Sequence, residues 1–305
     1  MSTGYDALRD GAAWIDLAAR GRIVARGRDR ARLLHNLTSN EVKKLAPGGG
    51  CYAFLLNPQG RIQADLNLFC FPEHFLLDVE PDLAEKARAH IRKYIIADQV
   101  ELEDVTATLG AVGVEGPGAV ALLTSLGAPT PDTPFAHAAW GEDVVAAVSE
   151  TGQPGFRIFT ARPAEVRARL AAAGAVEATP EDARTVRIEN GKPRYGEDIL
   201  DTSLVQETQQ MHGVSFTKGC YLGQEIVERV RARGHVNRKL TRIEIEAREV
   251  AAGARATAQG AEAGEVASAV WSPRAGKTIA LAWLRVPHCE PGATLEVAGA
   301  PARVV

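Results

Sequence analysis

The stretch "CYAFLLNPQGRIQADLNLFCF" alternates cleanly: Ile62, Ala64, Leu66, Leu68 and Cys70 fall on one face, and Gln63, Asp65 and Asn67 fall together on the other. Asn57-Pro58-Gln59-Gly60 between its two apolar runs is turn chemistry, so the stretch predicts a hairpin. Ahead of it, "GRIVARG" reads as a strand feeding "RDRARLLHNLTSNEVKKL", a helix with Leu33, Leu34 and Leu37 at helical spacing. Behind it, the strand "HFLLDVE" leads to a helix opened by Pro81-Asp82, with Leu83, Ala87 and Ile91 as its buried stripe. A similar order recurs between "LGAVGVEG" and Gly174: strand, the helix "GAVALLTSL", the strands "DVVAAVSE" and "FRIFT", and the helix "PAEVRARLAAAG". The pattern predicts two split βαβ-like units. "TPEDARTVRIENG" carries its own helix start, Thr179 before Pro180 with acidic residues in the first turn, and stops at Gly191. Beyond Gly234 the texture shortens to "KLTRIEIE", "GEVASAVWSP", "TIALAWLR" and "TLEVAG", which predicts a small β-barrel or sandwich. The Ala/Gly-rich "AREVAAGARATAQGAEAG" reads as surface connection inside that unit. The expected domains are 1-105, 106-235 and 236-305, the first two free to interleave.

A chain of 305 residues exceeds the usual span of one hydrophobic core. Its 35 Lys+Arg against 38 Asp+Glu, with a pI near 6.2, set up no field for non-specific binding to nucleic acid or anionic membranes, and neither partner is expected. Apolar runs such as "AFLL" and "ALAWL" fall far short of the roughly 20 residues that cross a bilayer. The N-terminus lacks a basic segment followed by an apolar one, so a cytoplasmic location is expected. Cys51, Cys70, Cys220 and Cys289 form no CxxC pair and the histidines show no HxxxH or HEXXH spacing, so no metal site is expected.

Two stretches are candidates for chemistry. "KGCYLGQEIVERVRARG" is a Gly-containing loop entering a helix, with Ile226, Val227 and Val230 on one face and Gly234 as its stop. Cys220 falls just before the helix N-terminus with Lys218 nearby, a setting that favours a thiolate; the alternative is a buried small hydrophobe. "RIENGKPRYGEDI" groups Glu189, Asn190, Arg194, Tyr195, Glu197 and Asp198 at a helix end. A carboxylate there could accept the paired N–H donors of a pterin, but on the residues alone a solvated helix end is the better reading. The run Arg229, Arg231, Arg233, His235, Arg238 and Lys239 is either a phosphate-, polyglutamate- or RNA-facing patch or a solvated face.

These stretches resemble a known family, the folate-binding YgfZ proteins, whose mitochondrial relatives act in iron–sulfur cluster assembly, within the superfamily of the glycine-cleavage T-protein. "KGCYLGQEIVER" with downstream "RKL" looks like the signature of this group, and "RIENGKPRYGEDI" like the superfamily's folate-side motif. "LLHNLTSNEVKKLAPG", "LLNPQGRIQADLNLF", "GEVASAVWSP" and "IALAWL" match in the same order, so the likeness runs from about Trp14 almost to the end. It implies an α+β fold: a T-protein-like ring of two related α+β domains plus a C-terminal small β-barrel. It implies tetrahydrofolate as cofactor, and support of iron–sulfur client enzymes or assembly proteins, tRNA-modifying ones included. The alternatives are a tetrahydrofolate-dependent aminomethyltransferase or demethylase, and a non-catalytic scaffold. Glu189 matches the carboxylate that holds the pterin in the T-protein, and Asp65, Asn67, Tyr195 and Gln224 complete the expected folate set. Cys220, with Lys218, is the expected reactive group: a redox-active thiol, a transient cluster ligand, or an acceptor of a one-carbon unit. Two positions depart from the T-protein: Ala64-Asp65 replaces its aspartate pair, and Glu80 its pterin-side asparagine. The first departure implies that aminomethyl transfer is altered or lost.

Overall fold

The computed structural model describes residues 3–234 and 236–305, so His235 of the basic run lies outside the described residues. Alternating strands build a five-stranded antiparallel sheet in the order Gly50–Leu56, Ile62–Cys70, His74–Val79, Gly21–Arg26, Glu101–Asp104. A second sheet of six strands runs Val176–Ala178, Ala13–Asp16, Gly110–Glu115, Gly155–Thr160, Asp143–Ala146, His137–Trp140. The sheets lie face to face over a shared core that joins Val24, Phe69 and Leu76 to Ile15, Ala111 and Phe159. The opposite face of each sheet is covered by helices. Leu34 and Ile91 pack on Ala64, Leu66 and Leu68 of the first sheet, and Leu123 and Leu170 on Val112 and Ile158 of the second. The fold is thus α+β, two related units followed by a closed six-stranded barrel. No described helix is long and apolar enough to cross a membrane.

The Pro180–Glu189 helix is the joint between units. Thr179 and Asp182 close a capping box at its start. At its far end the barrel takes hold of the chain: Ser268 Oγ donates to Asp198, Trp283 Nε1 donates to the Asp198 carbonyl (3.1 Å), and Arg242 donates to the Glu189 carbonyl (2.8 Å).

Three expectations are revised. The helix expected through Leu45 is Arg30–Leu37; Thr38 turns extended, and the carbonyls of His35, Thr38 and Asn40 are taken by Lys218. The helix expected from Pro81 starts at Ala84, because Asp82 has a left-handed φ of 62° that a helix cannot contain. Within the stretch read as connection, Arg255–Ala258 is a strand, pairing with Ala261–Ser272 and Thr294–Val297 to close the barrel. The first two units, left free to interleave, do so: Ala13–Asp16 lies in the second sheet, parallel to Val176–Ala178 and antiparallel to Gly110–Glu115.

Candidate functional site

The inward face of the first sheet changes character along its strands. Side chains repeat with period two, so Asn67 and Asp65 share a face with Phe69, and Asp78 and Glu80 share one with Leu76. Asn67 and Asp78 are cross-strand partners. Across the gap, Arg157 shares its face with Phe159. One end of the inter-sheet space is therefore apolar core and the other is charged.

Asp78 is the hub of the charged end, with no exposed surface. It accepts from Arg20 Nε (3.1 Å), from Arg157 Nη1, and from Asn67 Nδ2 (2.9 Å). Arg20 also reaches Glu80 (2.5 Å) and Glu150 (3.3 Å), Arg157 reaches Glu150 (2.8 Å), and Arg194 reaches Glu80 (2.7 Å). Burial alone would raise both the Asp78 and Glu150 carboxyls. The guanidinium groups outweigh it, holding Asp78 below the carboxylate range and bringing Glu150 down to about 2. The network joins the first sheet, the second sheet and the segment after the Pro180–Glu189 helix.

Above this network lies a cavity of about 210 Å³. Tyr52, Asp65, Asn67 and Glu80 form its first-sheet wall, and Glu150 and Arg157 its second-sheet wall. Lys192, Arg194 and His212 line it from later segments. Asp65 differs from the other carboxylates there, since it accepts a hydrogen bond from Tyr52 Oη (2.7 Å) and has no ion-pair partner among the described residues. Burial, then the Glu80 charge, raises its pKa from 3.8 to about 7, against the pull of Tyr52 and Arg20. A carboxyl that gains and loses a proton near neutrality beside a cavity is equipped for acid–base work. It also leaves a mark on stability. Between about 4 and 7 the native carboxyl keeps a proton that the unfolded one has lost, so this group's stabilising contribution is full at low pH and disappears as pH rises through 7. Asp65→Asn is expected to remove that component. Urea midpoints across pH 4–8 that shift in parallel for wild type and variant would refute it.

Of the residues singled out in the sequence, Asp65, Asn67, Glu80 and Arg194 meet in the cavity. The others stand elsewhere. Glu189 lies on the face of its helix that carries Val186, and its oxygens are taken by Tyr5 Oη (2.9 Å) and Arg9 Nη2, so its carboxylate is turned from the cavity wall toward the N-terminal helix Thr3–Asp10. Tyr195 is buried and its hydroxyl accepts from Lys86 Nζ (2.8 Å). Gln224 opens the Gln224–Arg233 helix, its side chain accepting from the Tyr221 amide (3.3 Å). Cys220 is exposed and outside the cavity lining.

Lys218 has a different role from the one its proximity to Cys220 suggested. Its ammonium is buried and donates to the carbonyls of His35, Thr38 (2.7 Å) and Asn40 (2.8 Å), with the Tyr221 ring 4.9 Å away. Burial lowers its pKa to about 8. It therefore fastens the Cys220 loop to the end of the Arg30–Leu37 helix. Lys218→Met is expected to destabilise the protein by about 1–3 kcal/mol, the range for buried acceptors left unpaired. An unchanged urea midpoint would show that water replaces it.

Arg20, Tyr52, Glu150, Arg157, Lys192 and His212 were not anticipated as site residues. Tyr52 had a signal: it pairs with Asn67 across the hairpin, and His212 stacks on it with ring centroids 5.1 Å apart. Arg157 had one too, as a charged residue inside the apolar strand "FRIFT".

Two facing α+β units with a polar cavity between them, and a closed barrel after them, define a class that comparison with other proteins identifies. Residues 2–218 match the GCVT N-terminal domain, and residues 238–305 the glycine cleavage T-protein C-terminal barrel domain. The chain belongs to the glycine cleavage T-protein family. An aminomethyltransferase of Rubrobacter xylanophilus is 31% identical, the alignment covering 99% of this chain and 84% of that one. An aminomethyltransferase of Nostoc sp. is 27% identical over 96% of this chain and 82% of its own length. The crystal structure of the glycine cleavage system aminomethyltransferase T from Bartonella henselae superposes with a TM-score of 0.88 at 20% identity, over 99% of this chain and 87% of that one, a likeness of fold.

Proposed function

We propose that the protein binds tetrahydrofolate in the inter-sheet cavity and carries out a one-carbon step on it, with Asp65 as the acid–base group. The observation that carries this reading is the Asp65 carboxyl, which titrates near 7 at the cavity wall while the neighbouring carboxylates Glu80 and Glu150 are committed to arginines. Aminomethyl transfer, the activity in the relatives' names, is the leading form of that step. The sequence argument against it came from Ala64, and the fold weakens that argument. Adjacent residues of a strand point to opposite faces, so Ala64 packs into the helix-side core while Asp65 faces the cavity. A carboxylate at 64 would point away from the ligand.

A second reading, support of iron–sulfur enzymes, draws on a separate observation. The "KGCYLGQE" loop is held by Lys218 away from the cavity and leaves Cys220 exposed, as a thiol meant for a macromolecular client would be. Two assays separate the readings. In the first, purified protein with tetrahydrofolate is given an aminomethyl-lipoyl carrier protein and ammonia release is followed. In the second, a bacterial strain lacking its folate-binding iron–sulfur factor is complemented with wild type and Cys220→Ala, read by an iron–sulfur tRNA-modifying enzyme. Turnover that depends on Asp65 supports the transferase; no turnover, with Cys220-dependent complementation, supports the accessory role. Calorimetry showing no tetrahydrofolate binding would end both.

A further inference from the structure

The cations around the cavity are not equivalent. Arg20, Arg157, Arg187 and Arg194 each make at least one ion pair with a carboxylate. Lys192 makes none among the described residues: its ammonium donates to the Ser149 carbonyl, and the cavity is open in front of it. The two carboxylates that its charge feels most are engaged elsewhere. Glu150 is bound by Arg20 and Arg157, and Glu115 accepts from the Ser149 hydroxyl (2.9 Å) and the Thr151 amide (3.0 Å). A lysine with one backbone partner has two N–H donors left. Burial works against that charge and lowers its pKa, so an incoming anion would relieve a strained position.

The two walls also differ in which groups they leave unpaired. The first-sheet wall carries Asp65, an acceptor with no arginine partner among the described residues and suited to the N–H edge of a reduced pterin, whereas Lys192 is anchored against Ser149 of the second unit beside a Glu150 that Arg20 and Arg157 already hold. A cavity of about 210 Å³ is below the usual range for a whole drug-sized ligand, so the head fits and the remainder extends past the wall. A negatively charged tail is drawn to Lys192, whose charge makes no ion pair among the described residues. We propose that Lys192 is the residue that binds the carboxylate-bearing tail of the folate, orienting the head toward Asp65. The proposal rests on the folate reading and adds the direction in which the ligand enters.

The test compares two ligands by calorimetry: tetrahydrofolate, and 6-methyltetrahydropterin, which has the head and no tail. Lys192→Met keeps the length of the side chain, and its thermal midpoint reports that the fold is intact. Tetrahydrofolate affinity is expected to fall roughly 10- to 100-fold in the variant, as for loss of a hydrogen bond to a charged group, while the tail-less pterin binds both proteins equally. Lys192→Arg is expected to recover most of the loss. Equal weakening of both ligands, or no change in either, overturns the assignment and leaves the folate site standing. Failure of wild type to bind either ligand overturns the folate reading and the assignment with it.

Discussion

Asp78→Ala is expected to lower the stability of the protein by about 3–5 kcal/mol, the range for breaking a buried ion pair by removing one partner. The size follows from what is left behind. Arg157, 1% exposed, and Arg20, 5% exposed, would keep their charge and lose the oxygens that face them, and Asn67 would lose its acceptor. Glu150 would remain as a partner for both, so collapse is not expected. Asp78→Asn should lie between wild type and Ala, since an amide oxygen still accepts but carries no charge. Chemical denaturation of the three proteins settles the order. An Asp78→Ala loss under about 1 kcal/mol would mean that the cluster is solvated and does not hold the two sheets together.

Asp65→Asn is expected to slow the proposed one-carbon step by about 10²–10⁴-fold, the usual effect of removing a positioned acid–base group. The amide keeps the shape and can accept from Tyr52, so tetrahydrofolate affinity should change far less than the rate. The rate of wild type should also depend on a group titrating near 7, which is where burial and Glu80 bring the Asp65 carboxyl. The variant should lack that inflection. A variant with wild-type rate, or an inflection that survives the substitution, would remove Asp65 from the chemistry.

The parts of this site that a reader of the sequence can find lie within one element. Asp65 and Asn67 come from the period of a single strand, and so does the inward phase of Asp78 with Leu76. Arg20, Glu150 and Arg157 come together through the pairing of two sheets, which no local pattern encodes. The barrel strand Arg255–Ala258 was hidden by composition: alanine has little β preference, and its place is fixed by the neighbours that close the barrel. Glu189 is a different lesson. Its spacing of three from Val186 puts both on one helix face, so the apolar stripe already tied that carboxylate to the packing against the N-terminal helix. Lys218 was read as a charge acting on its neighbour Cys220, whereas backbone carbonyls some 180 residues earlier in the chain fix its position.

The exchange of the Ala13–Asp16 strand bears on how the chain acquires its structure. The strands of the first sheet all lie between Gly21 and Asp104, so that sheet can pair as soon as this stretch has left the ribosome. The Ala13–Asp16 strand finds its antiparallel partner only with Gly110–Glu115 and its parallel partner only with Val176–Ala178. Until then its apolar face, with Ala13 and Ile15, has no sheet to join, and the loop that must close is a long one. The N-terminal segment is made first and docked late. It acts as a latch: when it pairs with Val176–Ala178 it also brings Tyr5 and Arg9 to Glu189, so completion of the second sheet and fixing of the helix that leads into the cavity are one event.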